Sequence, residues 1–361
     1  MGRKRQNKFR EAVPIPPPAP LPEPEEIDVE AVFNEYVSGN IDLIVVLGPT
    51  ASGKTRYAVE LARQLGGMVP SAAVATLGHV RGGTADEVGG GAERSEALSE
   101  DTMPSSCEII SADSRQVYRG MDIGTGKDLD EYGDIPYHLI DIVPAGTRFD
   151  LYQWQQAFEE AWNDIRKRGR IPILCGGTGL YIQAATCGYS LPQVPPNEEL
   201  RAELEHYDIE ELIRRLAELG PLPDEGVLQS KRRVIRALEV ALFQRDHPVQ
   251  RTAFMPKKPY CIGTLVSREE RNQRIDSRLD KRLQEGLIEE VKGLLDSGIR
   301  PEDLMYYGLE YKFVTQYVLG ILSFDEMRLL LGNAIHQFAK RHMTWFRGME
   351  KDGITIHWTN V

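Results

Sequence analysis

Residues 42 to 60 read DLIVVLGPTASGKTRYAVE, and this stretch leaves little freedom in what the surrounding chain can become. The apolar run from Leu43 to Leu47 predicts a buried strand, and a helical pattern opens at Arg56. Between them, Gly48-Pro49-Thr50-Ala51-Ser52-Gly53-Lys54-Thr55 fits the phosphate-loop pattern G-x-x-x-x-G-K-[ST] in its required strand, loop and helix context. Gly48 and Gly53 let the backbone turn several N–H groups toward one anion, and the helix adds its positive N-terminal end. Lys54 supplies a point charge for the outer phosphate, and the Thr55 hydroxyl is placed to ligate Mg²⁺. The motif predicts a di- or triphosphate ligand. It fixes neither which one, nor whether a phosphate is transferred.

The rest of the chain alternates strands and helices. A short strand, Glu108 to Ala112, ends in Asp113-Ser114, and an apolar strand is predicted over His138 to Val143. A helix follows from Leu151 to Arg168, then a β-branched run from Ile171 to Leu174 that closes on Gly176-Gly177-Thr178-Gly179. Such alternation predicts an α/β fold: a P-loop NTPase-like parallel sheet flanked by helices, with ligands at the carboxyl edge of the sheet. Lys54, Asp113 and Thr178 all follow predicted strands and should converge on one crevice.

From Pro192 the pattern becomes helical, over Glu198 to Leu219 and Leu228 to Arg245, with breaks at Pro221 and Pro223. Residues 190–230 are expected to form a small helical insertion domain, between core segments 39–189 and 231–361. A strand over 260–266, a long helix from Glu269 to Ser297, a helix from Phe324 to Phe346 and a strand from Ile354 to Trp358 complete the chain. The long helix repeats Arg271, Arg274, Arg278 and Arg282 beside an apolar stripe. Trp345 and Phe346 are expected to be packing aromatics.

Two segments cannot support a core. Residues 1–38 form a basic, then proline-rich, then acidic leader, expected to be disordered, and 68–107 is rich in Gly, Ala, Ser and acidic residues and expected to be a disordered insertion. No apolar run approaches the roughly 20 residues of a spanning helix, so no membrane is expected. Cys107, Cys175, Cys187 and Cys261 have no metal or disulfide spacing, which suits a reducing cytoplasm. The formal charge of −11 counts against a protein that coats nucleic acid, although a local basic face can coexist with it.

Asp113, at a strand end near the phosphate loop, can hold Mg²⁺ through water or act as a base for a nucleophile attacking a bound phosphate ester. A turn-capping Asp is the blander account. A P-loop kinase with an arginine lid in 190–235 is one rival assignment. A nucleotide switch is another, but it lacks the N-K-x-D base-specificity motif.

The string DSRQVYRGMDIGTGKD, with GPTASGKT before it and GGTGLYIQA after it, resembles the tRNA dimethylallyltransferase (tRNA isopentenyltransferase) family. The likeness continues through 137–142, 236–240, 308–313, 338–341 and 344–346, covering residues from about 40 to 347. The resemblance implies prenyl transfer from dimethylallyl diphosphate to the exocyclic amine of the adenosine 3′ of the anticodon, with Mg²⁺ on Thr55. Asp113 would be the base or acceptor for that amine, with Thr50 beside it in the catalytic role. The diphosphate would be held by Gly48, Pro49, Thr50, Ala51, Ser52, Gly53, Lys54 and Thr55, with Arg274 and Arg278 closing over it. The tRNA anticodon stem-loop would meet Asp113, Ser114, Arg115, Gln116, Thr178, Arg201, Arg233, Arg236 and the insertion that carries some of them. A monomer is expected, gripping tRNA without the zinc-finger extension of some larger members. Arg115 departs from a frequent Met, Gly126-Lys127-Asp128 from a common Ala-Lys-Pro, and His342 from a frequent Gln.

Overall fold

A computed structural model describes residues 20–68, 106–187, 194–247 and 254–361. The disorder expected before residue 20 and through most of 68–107 falls outside these residues. In chain order the first half holds α1 (Val29–Val37), β1 (Leu43–Leu47), α2 (Lys54–Met68), β2 (Cys107–Ser111), β3 (Tyr118–Arg119), β4 (Tyr137–His138), β5 (Val143–Pro144), α3 (Leu151–Lys167), β6 (Ile171–Gly176) and α4 (Gly179–Thr186). The second half holds α5 (Glu198–Leu204), α6 (Ile209–Leu219), α7 (Glu225–Leu228), α8 (Lys231–Asp246), β7 (Pro259–Leu265), α9 (Arg268–Gln284), α10 (Leu287–Asp296), α11 (Pro301–Tyr306), α12 (Leu309–Val318), α13 (Phe324–Lys351) and β8 (Ile356–Asn360).

Six strands form one sheet in the order β4-β2-β6-β1-β7-β8, every pair parallel. The phosphate-loop strand is central: Ile44 faces Ile173 on one side and Tyr260 on the other. All five β1 residues are buried because helices cover both faces of the sheet. Side chains alternate across it, so Leu43, Val45 and Leu47 join Trp154, Phe158, Phe346 and Trp358, whereas Ile44 and Val46 join Val32, Ala58, Val59 and Leu61.

Several sequence expectations need correction. The leader extends only to about residue 28: Asp28 caps α1 by accepting from the Ala31 N–H at 3.0 Å, and Val32 then packs beside α2 residues. The strand expected over His138 to Val143 is two short strands, because Leu139 and Asp141 adopt φ of 63° and 57° and break it. The helix expected over Glu269 to Ser297 divides into α9 and α10 at Gly286, whose φ is 105°. The insertion extends through α8, since Val234, Ile235 and Leu238 share a core with Leu204, Leu212 and Leu216.

At the edge of the sheet, Glu108 is buried and accepts from His138 Nε2 at 2.6 Å and Arg168 Nη2 at 2.9 Å, with Arg170 also paired. Burial alone would raise its carboxyl, but these hydrogen bonds outweigh it and hold the group well below the ordinary carboxylate range. A depressed folded value stabilises the fold fully above the unfolded value of about 4.3, and that stability drains away as pH falls below it. Glu108→Gln is therefore expected to be less stable than wild type near neutral pH, with the gap closing as pH falls. Urea midpoints measured across the acid range check this; a constant gap would contradict it.

Candidate active site

Four loops at the carboxyl ends of parallel strands meet helices α9, α12 and α13 around one cavity of about 600 Å³. Its lining includes Thr50, Lys54 and Thr55 from the phosphate loop and Asp113, Ser114, Arg115 and Gln116 after β2. Gly177 and Thr178 after β6, Arg278 and Arg282 on α9, and Glu310 on α12 line it as well. The expected convergence of Lys54, Asp113 and Thr178 is present.

The phosphate loop turns through Ala51 and Gly53, with φ of 62° and 77°. A Cβ on Gly48 would lie 2.1 Å from Thr264 Oγ1 and 2.4 Å from Ser52 Oγ, so only glycine fits between them. The Ser52 hydroxyl is buried and accepts from Thr264 Oγ1 at 2.7 Å. Its side chain therefore holds the loop onto β7 rather than facing the cavity. Lys54 makes no side-chain hydrogen bond or ion pair to any described residue. Burial disfavours its charge and lowers its pKa, while the nearby Cys175 and Asp113 oppose that shift.

The β2 loop is fastened to the β6 turn. Thr178 Oγ1 accepts from the Ser114 N–H at 3.1 Å, and the Thr178 N–H donates to the Ala112 carbonyl at 3.1 Å. Gln116 accepts from Ser111 Oγ at 3.1 Å and donates to the Gly126 carbonyl at 3.0 Å, which fixes a further wall of the cavity. Asp113 accepts from the Arg115 N–H at 2.8 Å through Oδ1, and Oδ2 has no partner among the described residues. The carboxylate is thus oriented while one oxygen stays available. A Cβ on Gly176 would come within 2.4 Å of the Ala112 carbonyl carbon and oxygen. Gly176→Ala is therefore expected to cost about 1–3 kcal/mol through overpacking, read as a lowered denaturant midpoint, and to displace Asp113.

The arginines of α9 divide. Arg274 pairs with Glu270 at 2.6 Å and lies beside Gly53, but it does not line the cavity. Arg278 lines it and pairs with Asp128. Arg282, not assigned from the sequence, lines it too and sits 3.6 Å from Glu310. Burial opposes the charge on Arg282 and raises the Glu310 carboxyl, so both charges are held in a poorly solvated wall. The i,i+4 spacing of Arg278 and Arg282 on the predicted helix was the sequence signal for this wall.

The other basic residues lie elsewhere. Arg201 and Arg236 both pair with buried Glu239, and Arg236 also donates to the Val194 carbonyl at 2.9 Å. Exposed Arg233 donates to the Gly226 carbonyl at 3.0 Å. All three belong to the insertion, and none lines the cavity. Phe346 is a core aromatic as expected, whereas Trp345 is 40% exposed, lines the cavity and donates to Gln183 Oε1 at 3.0 Å. The mouth also holds Tyr306, with Arg148 at 3.9 Å and Arg115 at 5.6 Å from its ring centre.

Residues 116–349 match the model of the IPP transferase family. The chain is 48% identical over 323 residues to tRNA dimethylallyltransferase 2 of Porphyromonas gingivalis, covering 88% of this chain and 94% of that one. It is 43% identical over 324 residues to tRNA dimethylallyltransferase 2 of Bacteroides fragilis, covering 89% and 93%. Among solved structures, the full-length tRNA isopentenylpyrophosphate transferase of Bacillus halodurans aligns with a TM-score of 0.57 and 30% identity, covering 88% of this chain and 89% of that one. A eukaryotic dimethylallyltransferase acting on tRNA, at 20% identity, shares the fold with a TM-score of 0.61 over 87% of this chain and 73% of its own.

Proposed function

The chain belongs to the IPP transferase family, and from that premise we propose how its cavity transfers a dimethylallyl group from dimethylallyl diphosphate to the N6 amine of the adenosine 3′ of the anticodon in tRNA. One observation carries the assignment of roles: unpartnered Lys54 and half-engaged Asp113 line the same cavity. Its volume of about 600 Å³ lies in the usual range for ligand pockets.

The diphosphate binds the N–H groups of the phosphate loop, with Lys54, Arg278 and Arg282 offsetting its charge. Among the described residues no group of three His, Cys, Asp or Glu could hold a metal. Mg²⁺, held by the Thr55 hydroxyl, would supply further charge neutralisation for the leaving group. The adenosine must first leave the anticodon stack, at a cost of about a few kcal/mol recovered by contacts around it. Its N6 attacks the allylic carbon, the bond from that carbon to the diphosphate oxygen breaks, and the N6 proton passes to the free oxygen of Asp113. Thr50 lies where it can steady the diphosphate during departure.

Aromatic and basic groups at the mouth suit RNA: Tyr306, Phe338, Arg341 and Trp345 are exposed there, and half-buried Arg115 lies beside Tyr306. Arg233 on α8 is exposed and pairs with no carboxylate among the described residues, which suits a phosphate contact. Arg201 and Arg236 act through the fold of the insertion, by way of Glu239. The four cysteines form no disulfide among the described residues, which suits a reducing cytoplasm, and no helix among the described residues is long and apolar enough to cross a membrane.

Purified protein incubated with Mg²⁺, an anticodon stem-loop and either labelled dimethylallyl diphosphate or γ-labelled ATP tests this reading. Label is expected on RNA only from the prenyl donor. Phosphoryl transfer from ATP without prenylated RNA would overturn it in favour of a kinase.

A further inference from the structure

His342 lies on α13 between Phe338 and Phe346, with ring centres 4.3 Å and 6.3 Å away. Its imidazole leans over the turn after β6. A Cβ on Gly177 would come within 3.4 Å of His342 Cε1, 3.7 Å of its Nδ1 and 3.4 Å of the Gly48 carbonyl oxygen. The ring thus packs at van der Waals distance over Gly177, beside the start of the phosphate loop. His342 lines the cavity, its Nδ1 is buried, and neither ring nitrogen has a hydrogen-bond partner among the described residues. Native folds seldom leave such a nitrogen unpartnered unless a ligand or a function uses it.

We propose that His342 is a diphosphate-binding residue, whose imidazole hydrogen-bonds an oxygen of the diphosphate held by Lys54. The inference rests on the reading that the phosphate loop takes an allylic diphosphate, and it adds a proton to that binding step. The charged groups that act on the ring are Lys54 in the phosphate loop and Arg341 beside it on α13, while Asp113, Arg115, Arg278, Arg282, Glu310 and Lys312 line the same cavity. Burial first, then Lys54 and Arg341, push the imidazole down to about 3, which favours its neutral form. A bound diphosphate brings several negative charges and reverses the local balance, favouring imidazolium. The ring then takes up one proton from solvent and donates it in a hydrogen bond to the phosphate oxygen.

Calorimetric titration with inorganic diphosphate and Mg²⁺, in buffers of different ionisation enthalpy, reads both affinity and proton uptake. Wild type is compared with His342→Gln, which keeps a donor but cannot titrate, with His342→Phe, which keeps the ring without nitrogen, and with Lys54→Ala. At roughly pH 6.5, near the ordinary imidazole value, wild type is expected to take up more protons per diphosphate than either His342 variant. His342→Phe is expected to bind about tenfold more weakly, the scale of one charge-assisted hydrogen bond. Wild-type affinity and proton count in His342→Phe, alongside lost binding in Lys54→Ala, would overturn this inference and leave the phosphate-loop reading standing. Weakened RNA binding with unchanged diphosphate binding in His342→Phe would also overturn it, assigning the ring to the base. Failure of wild type to bind diphosphate at all would overturn both readings.

Discussion

Asp113→Asn is expected to slow prenyl transfer by about 10²- to 10⁴-fold, the usual contribution of a positioned general base. An amide oxygen can keep the 2.8 Å hydrogen bond from the Arg115 N–H, so the β2 loop should hold its shape. What is lost is the oxygen that has no partner: in Asn that position becomes an NH₂, which cannot take the N6 proton and opposes the N–H groups of the incoming amine. An amine conjugated to a purine is a weak nucleophile, so the rate of the chemical step should carry most of the loss. Single-turnover rates with bound RNA and donor separate this from binding. Diphosphate affinity should remain within a few-fold of wild type; equal single-turnover rates would show that Asp113 only shapes the turn.

Lys54→Ala is expected to cost about 10²- to 10³-fold in kcat/KM, comparable to removing one preorganised donor from a site of developing charge. Lys54 has neighbouring charges but no bonded partner among the described residues, and burial works against its charge. Without an anion it is destabilised, and with one it gains more than an exposed lysine would. The loss should appear both as weaker donor binding and as slower departure of diphosphate. Lys54→Arg should not restore activity, because the guanidinium fork needs more room than an ammonium enclosed by the loop. Full activity in Lys54→Ala would remove Lys54 from the diphosphate site, and full activity in Lys54→Arg would overturn the argument from space.

These two residues were legible because they sit where strands end. The run Leu43 to Leu47 and the glycines after it define a local structure whatever the rest of the chain does, and Asp113 and Thr178 follow strands of the same sheet. Other features depended on contacts that spacing cannot reveal. Arg201 read as part of a basic face, but the buried carboxylate that engages it, Glu239, which stands i,i+3 from Arg236 on α8, becomes its neighbour only through the packing of α5 against α8. The split between α9 and α10 turns on one glycine, and α-helical periodicity continues across it. Leu139 and Asp141 adopt left-handed conformations that their side chains do not announce, so two short strands look like one. Trp345 is spaced as a core residue on α13, yet its helix face turns from the sheet toward the cavity within one turn of Phe346. Arg282 and Glu310 come from elements far apart in sequence, and only the folded chain makes them a pair.

The most direct test of the central claim is to digest the stem-loop to nucleosides after reaction with dimethylallyl diphosphate and identify the modified one by mass spectrometry. The account predicts a single product, adenosine bearing one dimethylallyl group on N6. It should come from the position 3′ of the anticodon, form with wild type and be nearly absent with Asp113→Asn. A prenyl group on any other nucleoside, or equal yields from the two proteins, would contradict it.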